Sequence, residues 1–475
     1  LAQRLDGFPL ALATAGAFLK QSTLGILEYL ELYNAQWDRV TRIQLPDYTT
    51  HTQYTTWDLS FEQVQQVHLE AAQLLAFLAY LDHQDIWFGL FAVDRQTTTS
   101  LWWKKLIHGR RKRRPPWFIN LTKDELSFEK AMATLVRYCL VEMHHQTRSY
   151  SLHACVHDWT LNGLNRNVDA VQYWLAFDCL ASHVEVEDWE SLSTLRYRRF
   201  APHVARLEHS RFQTVASQQR LTPNQVNQVE VFAKLLRQQI MHSAAEKMYR
   251  RALAEQKKAL GPEHTSTLIT VNDLGNLYRD QGKLADAEAM YRRALAGREK
   301  ALGPEHTSTL NTINNMGTLL CLQGQLSEAE SMYQYASSGT KRALGPDHFN
   351  VLGTVNNLAN LYCEQGKLFE AREMYEQALG GITRSLGPDH SFISGVVNNR
   401  GLLYAEQGEL DAAQQMFQQA RDGFKRSLGS EHPHTQMVCY NIEQLGLRET
   451  RTDVPIGSNV GQENGVDEPR RRWYF

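Results

Sequence analysis

The sequence is poor in cysteine, in long apolar runs and in catalytic spacings, and each shortage narrows what the chain can be. Six cysteines (Cys139, Cys155, Cys179, Cys321, Cys363 and Cys439) are scattered through 475 residues without a CxxC pair. That pattern fits neither a disulfide framework nor a cysteine-based zinc module, and it suits a reducing, cytoplasmic setting. Apolar stretches such as Leu74–Leu81 are far shorter than a bilayer requires, so no membrane partner is expected. Phe8–Leu19 has the hydrophobicity of a signal-peptide core, but Asp6 stands just before it. A formal net charge of −2 gives no general pull toward nucleic acid, which is not an expected partner. No GxxxxGK[ST] phosphate loop, GxSxG turn or HExxH helix occurs, so no catalytic residue is assigned and no enzyme activity is expected. The chain starts with Leu and not Met, and it reads as part of something longer.

What the chain does have is a repeat. Leu-Gly-Pro-Glu-His stands at Leu260–His264 and Leu302–His306, Leu-Gly-Pro-Asp-His at Leu344–His348 and Leu386–His390, and Leu-Gly-Ser-Glu-His at Leu428–His432, always 42 residues apart. Met248-Tyr249, Met290-Tyr291, Met332-Tyr333, Met374-Tyr375 and Met416-Phe417 keep the same interval. A fixed period of this size predicts a solenoid whose units bury their apolar faces only against neighbours. Within one unit, Val271, Leu274, Gly275 and Tyr278 form the i, i+3, i+4, i+7 stripe of a first helix. Gln281-Gly282 ends it, and a second helix carrying Ala287, Tyr291, Ala294 and Leu295 stops at Gly303-Pro304.

These residues resemble the tetratricopeptide repeat in the lengthened form found in kinesin light chains. The order Leu274-Gly275, Tyr278, Ala287, Tyr291, Ala294 recurs as Met316-Gly317, Ala329, Tyr333, Ala336, then as Leu358-Ala359, Tyr362, Ala371, Tyr375, Ala378, and as Gly401, Tyr404, Ala413, Phe417, Ala420. Phe232-Ala233, Leu236, Ala245, Tyr249 and Ala252 read as a degenerate capping unit. Arg400 replaces the usual apolar residue, so the last full unit is expected to be looser.

The front half is expected to hold helices followed by a small β-hairpin, with Val141–Met143 and Tyr150–Leu152 flanking a polar turn. Gly7-Phe8-Pro9-Leu10-Ala11-Leu12 resembles the GLPLAL motif of NB-ARC/STAND ATPases, and Tyr150–Trp159 resembles the MHD-type segment that closes their winged-helix domain. Both, followed by the repeats, resemble the C-terminal part of a fungal NOD-like receptor. The resemblance implies vestigial nucleotide contacts at Pro9 and His153, with Ala154 where the family has Asp. It also implies that ADP or ATP would be held only with an upstream NTPase part, so no cofactor is expected in this chain.

The expected organisation is mostly α. An NB-ARC helical remnant spans 1–45, a winged-helix-like domain with a basic insertion at 104–114 spans 46–165, and a helical linker spans 166–222. A tetratricopeptide α-solenoid then fills 223–447, and a disordered tail 448–475. The basic insertion reads either as a solvated loop or as a localisation or nucleic-acid patch. His153 and His157 stand i, i+4, a spacing that could chelate zinc, but a structural role is the better reading and no metal is expected. His264, His306, His348, His390 and His432 lie in different repeats, too far apart to share one ion, and are expected to pack the loop before each next helix.

The strongest functional signal is a column of asparagine. Asn272, Asn314, Asn356 and Asn398 recur in register, followed by Asn315, Asn357 and Asn399, with Asn276 and Asn360 one turn on. Asn is a poor helix former, so its repetition mid-helix needs a reason. An amide offers both a donor and an acceptor, and a column of amides can grip an extended peptide backbone. The alternative is that the amides bridge neighbouring repeats. The chain is thus expected to be a protein- or peptide-binding scaffold, the sensor half of a NOD-like receptor, with self-association as a further partner mode. A stand-alone kinesin-light-chain-like adaptor and a DNA-associated regulator are the rival readings.

Overall fold

The structure, a computed structural model, describes residues 9–22, 24–32, 48–91, 114–184, 195–218, 220–387 and 390–452. It is mostly α-helical and divides into two compact units, Leu1–Trp189 with Arg198–Thr222, and Glu190–Tyr197 with Pro223–Phe475.

The second unit is a solenoid of helix pairs. The first pair is Pro223–Gln238 with His242–Leu260, and the second Thr265–Asp280 with Leu284–Leu302. The third is Thr307–Leu322 with Leu326–Leu344, the fourth Phe349–Glu364 with Leu368–Leu386, and the fifth Ser391–Gln407 with Leu410–Leu428. A single helix, Pro433–Thr452, follows, so helix continues past the boundary at which the sequence reading began a tail. The rest of that tail lies outside the described residues.

The repeated phrase is the joint between pairs. Its glycines, from Gly261 to Gly429, have φ between +84 and +94° and ψ between +163 and +166°, a region open in practice only to glycine. Proline or serine follows, and the histidine then caps the next helix. Nδ1 of His264, His306, His348, His390 and His432 accepts the backbone N–H two residues on at 3.1–3.2 Å. Imidazole here does what Ser or Asp commonly does at a helix start.

Between the helices of a pair, glycine sets the spacing. A Cβ on Gly297, Gly339 or Gly381 would meet the side chain of Leu268, Leu310 or Leu352 at 2.7, 2.7 and 2.4 Å. Gly381→Ala should therefore overpack the fourth pair and cost about 1–3 kcal/mol by urea denaturation. Gly380→Ala is the control, because its Cβ would meet only the flexible end of Arg384 at 3.3 Å.

Arg400 does not interrupt the core of the fifth pair. Val397, Phe417, Phe424, Leu428, Val438 and Leu445 form one buried cluster. Arg400 lays its guanidinium 5.6 Å from the Tyr404 ring centre and donates to its hydroxyl at 2.9 Å. On the last helix Gln436 and Glu443, both exposed, occupy the positions of Leu268 and Gly275 in the second pair.

The first unit holds the helices Pro9–Gln21, Tyr48–Val67, Leu69–Leu78, Pro116–Thr122 and Glu125–Arg137, then the expected hairpin. Its strands β1 (Glu142–His144) and β2 (Ser149–Ser151) pair antiparallel with Met143 opposite Tyr150. Ile86 adds a bridge to Tyr150 on the other edge of β2. Shorter helices follow at Ala154–Trp159, Ala170–Ala181, Ala201–Arg206 and Gln213–Gln218. Of the basic insertion only Arg114 is described, its guanidinium 5.7 Å from the Phe118 ring centre.

Candidate functional site on the repeat array

The asparagine column is built into the joints between repeats. The second amide of each doublet donates Nδ2 to the first amide of the preceding repeat. Asn315 reaches Asn272, Asn357 reaches Asn314, and Asn399 reaches Asn356, each at 3.3 Å. Asn441, which sequence reasoning missed, continues the series to Asn398 at 3.0 Å. Its register, 42 residues beyond Asn399, was the signal that could have found it. Asn399 also donates to Asn360 at 2.9 Å.

Burial sorts these residues. Asn272, Asn356, Asn357, Asn360, Asn398 and Asn399 are buried, and Asn356, Asn360, Asn398 and Asn399 have no exposed surface at all. Those four tie helices together and have no surface with which to touch a ligand in this conformation, so their place is in the bridge and not on the binding surface that the sequence reading gave them. Asn276, Asn314 and Asn315 stay partly exposed. With Asn311, also partly exposed, and the exposed Ile269 and Leu322, they make the open face of the second and third repeats.

A second ladder runs inside the second, third and fourth pairs. The Tyr291, Tyr333 and Tyr375 hydroxyls donate to Asn276, Thr318 and Asn360 at 2.7, 2.9 and 2.7 Å. In the fifth pair the tyrosine is Phe417, and the acceptor's position holds Leu402. Hydroxyl and acceptor vanish together, as a buried polar group without a partner would be costly. Cys321 and Cys363 lie against the same hydroxyls at 3.9 and 3.8 Å. Burial pushes their thiols up to about 11 and about 12, which disfavours the nucleophilic thiolate at neutral pH.

At the start of the array the amides give way to ions. Glu230 and Asp273 occupy ladder positions, and Lys234 Nζ bridges their carboxylates at 2.9 and 3.3 Å. The Asp273 carboxylate, opposed by burial and helped by Glu230, holds the Lys234 ammonium above its ordinary range. Beside it Arg237 and Arg279 both pair with Asp280, at 2.7 and 2.9 Å. Burial would raise the Asp280 carboxyl, but the two guanidiniums outweigh it and hold it at about 2.

The residues implied by the second resemblance sit in the first unit. Pro9 opens the Pro9–Gln21 helix, and its side chain lies outside the described residues. His153 is exposed and caps the Ala154–Trp159 helix, its Nδ1 accepting from Cys155 N–H at 3.3 Å. It borders a cleft of about 790 Å³ lined also by His83, Asp85, His144 and Arg199. His157 is buried and directs Nε2 to the carbonyls of Leu81 and Leu78 at 2.9 and 3.3 Å. That use of its nitrogen separates it chemically from His153, and no group of three or more His, Cys, Asp or Glu among the described residues is arranged to hold a metal ion. No described helix is long and apolar enough to cross a membrane.

Family comparison agrees with the geometry of the second unit. Residues 230–300 match the tetratricopeptide repeat family and residues 303–440 the MalT-like TPR region. The second unit is a tetratricopeptide solenoid. It is therefore a scaffold of the protein-interaction type. A kinesin-light-chain-like repeat protein of Podosopora anserina with nearly identical TPR-like repeats is 23% identical, covers 42% of this chain and 95% of its own, and has a TM-score of 0.35. A signal-transduction ATPase (STAND protein) with a tetratricopeptide repeat sensor from Pyrococcus horikoshii is 12% identical, with 94% of this chain and 66% of that one covered and a TM-score of 0.37. NprR, in complex with its cognate peptide NprX, is 13% identical over 61% of this chain and 76% of its own, with a TM-score of 0.40. No curated protein matches the chain.

Proposed function

We propose that the array binds an extended segment of a partner protein along the first helices of its second and third repeats, and that the chain is the sensor and regulatory part of a STAND-type NTPase of the NOD-like receptor kind. The observation that carries the binding reading is the change in burial along one ladder. The same amides that are sealed in the fourth and fifth repeats remain open at Asn276, Asn314 and Asn315. Each amide has two donor hydrogens and two acceptor lone pairs, and the Asn315–Asn272 bond takes one donor from the former and one acceptor site on the latter. The open face therefore offers hydrogen bonds at a regular spacing to a backbone that runs across the helices. Selection of peptides from a display library on the full chain tests this: enriched sequences that compete with one another and lose binding on Asn315→Ala support it. Failure to enrich any sequence counts against it.

The receptor reading rests on the order of the motifs at Gly7–Leu12 and Tyr150–Trp159 ahead of the repeats. In that reading the chain contributes sensing and regulation and does no catalysis. The cleft beside His153 does not fit a nucleotide's phosphates by itself. Arg199, which lines it, is held by the Asp85 carboxylate at 2.6 and 2.7 Å and stacked on Trp87 at 4.0 Å, and Ala154 stands where the family has Asp. Titration calorimetry of the full chain with ADP and ATP should give no micromolar binding. A micromolar dissociation constant, about 8 kcal/mol of binding free energy, would contradict this division of labour.

A further inference from the structure

In the first unit one short segment, Leu78–Ile86, is where β2, the Ala154–Trp159 helix and residues 199–206 meet. Its backbone pairs with β2 through Ile86 and Tyr150 at 2.7 and 2.8 Å, and the His83 carbonyl accepts the Leu152 N–H at 2.8 Å. His157 donates to the Leu81 carbonyl at 2.9 Å. His203, fully buried, accepts the Asp82 N–H on Nδ1 at 3.1 Å and donates Nε2 to the Asp85 carbonyl at 3.2 Å. Arg206 donates to the Ala79 carbonyl at 3.3 Å. Arg199 grips the Asp85 carboxylate with two bonds. Asp85 itself has a φ of +51°, in the left-handed region that aspartate enters more readily than most non-glycine residues.

We propose that this segment is a latch in which two neutral imidazoles, His157 from one side and His203 from the other, lock the hairpin and the His153-capped helix to the helices that follow Arg198, and that acid opens it. The chemistry is directional. A protonated His203 has no acceptor on Nδ1, so it faces the Asp82 N–H donor to donor. A protonated His157 gains a second N–H in an interior where Arg206 and His83 are its charged or titratable neighbours. Asp82, Asp85 and Arg199 face His203, the two carboxylates favouring its charged form and the guanidinium opposing it. Burial outweighs these and lowers both histidines, His157 to about 4. A base whose value is lowered on folding stabilises the fold above its free value near 6.5, and that contribution is lost as pH falls toward the folded value. Release of the turn would free one wall of the cleft at His83 and Asp85.

Asp58 titrates in the same window with the opposite sign. Burial raises it to about 6 against the Trp159 indole bond, so the readout must be local and not a melting temperature. Hydrogen exchange of the full chain, corrected for intrinsic rates, should show segments 78–88 and 198–206 losing protection between pH 7.5 and pH 5, by on the order of tenfold or more, while the third and fourth repeats, far from the buried His434 of the last helix, keep theirs. The amide variant His157→Gln with His203→Asn keeps a donor to Leu81 and an acceptor for Asp82 but cannot titrate, and it should abolish the pH dependence there. Flat protection of the wild-type segment down to pH 5 overturns the proposal without any variant, and so does an unchanged acid response in the single variant His157→Gln and in the pair.

Discussion

Asn399→Asp is expected to cost the array about 3–5 kcal/mol, because it leaves an uncompensated buried charge. Asn399 has no exposed surface. It donates Nδ2 to Asn356 at 3.3 Å and Asn360 at 2.9 Å, and its Oδ1 faces the Asn398 amide at 3.5 Å. Aspartate has the same shape and no donor hydrogen. Two bonds become oxygen–oxygen contacts in an interior that cannot solvate the charge. Because a solenoid is coupled only between neighbours, the fourth and fifth repeats should lose exchange protection while the second keeps its own. The partly exposed Asn315, with one ladder bond to Asn272, is the comparison, and Asn315→Asp should cost about 1 kcal/mol, the worth of one such bond. Urea denaturation that finds the two changes equal would mean that burial does not distinguish these rungs.

Lys234→Met should also be severe, at about 3–5 kcal/mol, the range for removing one partner of a buried ionic group. The Glu230 and Asp273 side chains are only 12 and 14% exposed, and the ammonium bridges them. Methionine keeps the aliphatic stem and leaves the two carboxylates facing each other. Urea denaturation beside Lys234→Arg, which keeps a cation between the two carboxylates, is the measurement, and equal losses in the two variants would show that the Lys234 charge is not what holds the pair. The wild-type array should separately lose stability as pH falls from the free Asp280 value of 3.8 toward about 2.

The repeat was legible because its period is covalent. Gly-Pro at a fixed interval, small residues facing aromatic ones and a 3.6-residue stripe each act within a few residues or between adjacent helices, so helix pairs could be read directly. The hairpin was legible for the same reason. The role of the asparagines was not, because a mid-helix amide looks alike whether it faces a ligand or the next repeat, and only the depth of each joint decides. Asn356 and Asn314 differ in exposure, not in sequence register. Arg400 misled for a related reason, since its pairing with Tyr404 lies outside the apolar pattern that the substitution breaks. The histidines that end each phrase read as loop packing, and only coordinates show an imidazole accepting a helix N–H. The Leu78–Ile86 segment was silent, as its partners come from residues 64 to 127 positions away.

The central claim is that the open amides of the second and third repeats bind a partner's backbone. The direct measurement is the affinity of the full chain for a library-selected peptide before and after Asn311→Ala with Asn315→Ala, alongside a melting curve. Losing two neutral hydrogen bonds should weaken binding about five- to a hundredfold, while stability falls by no more than about 1–2 kcal/mol. Unchanged affinity together with a large fall in stability would contradict the claim and leave the ladder as a purely internal tie.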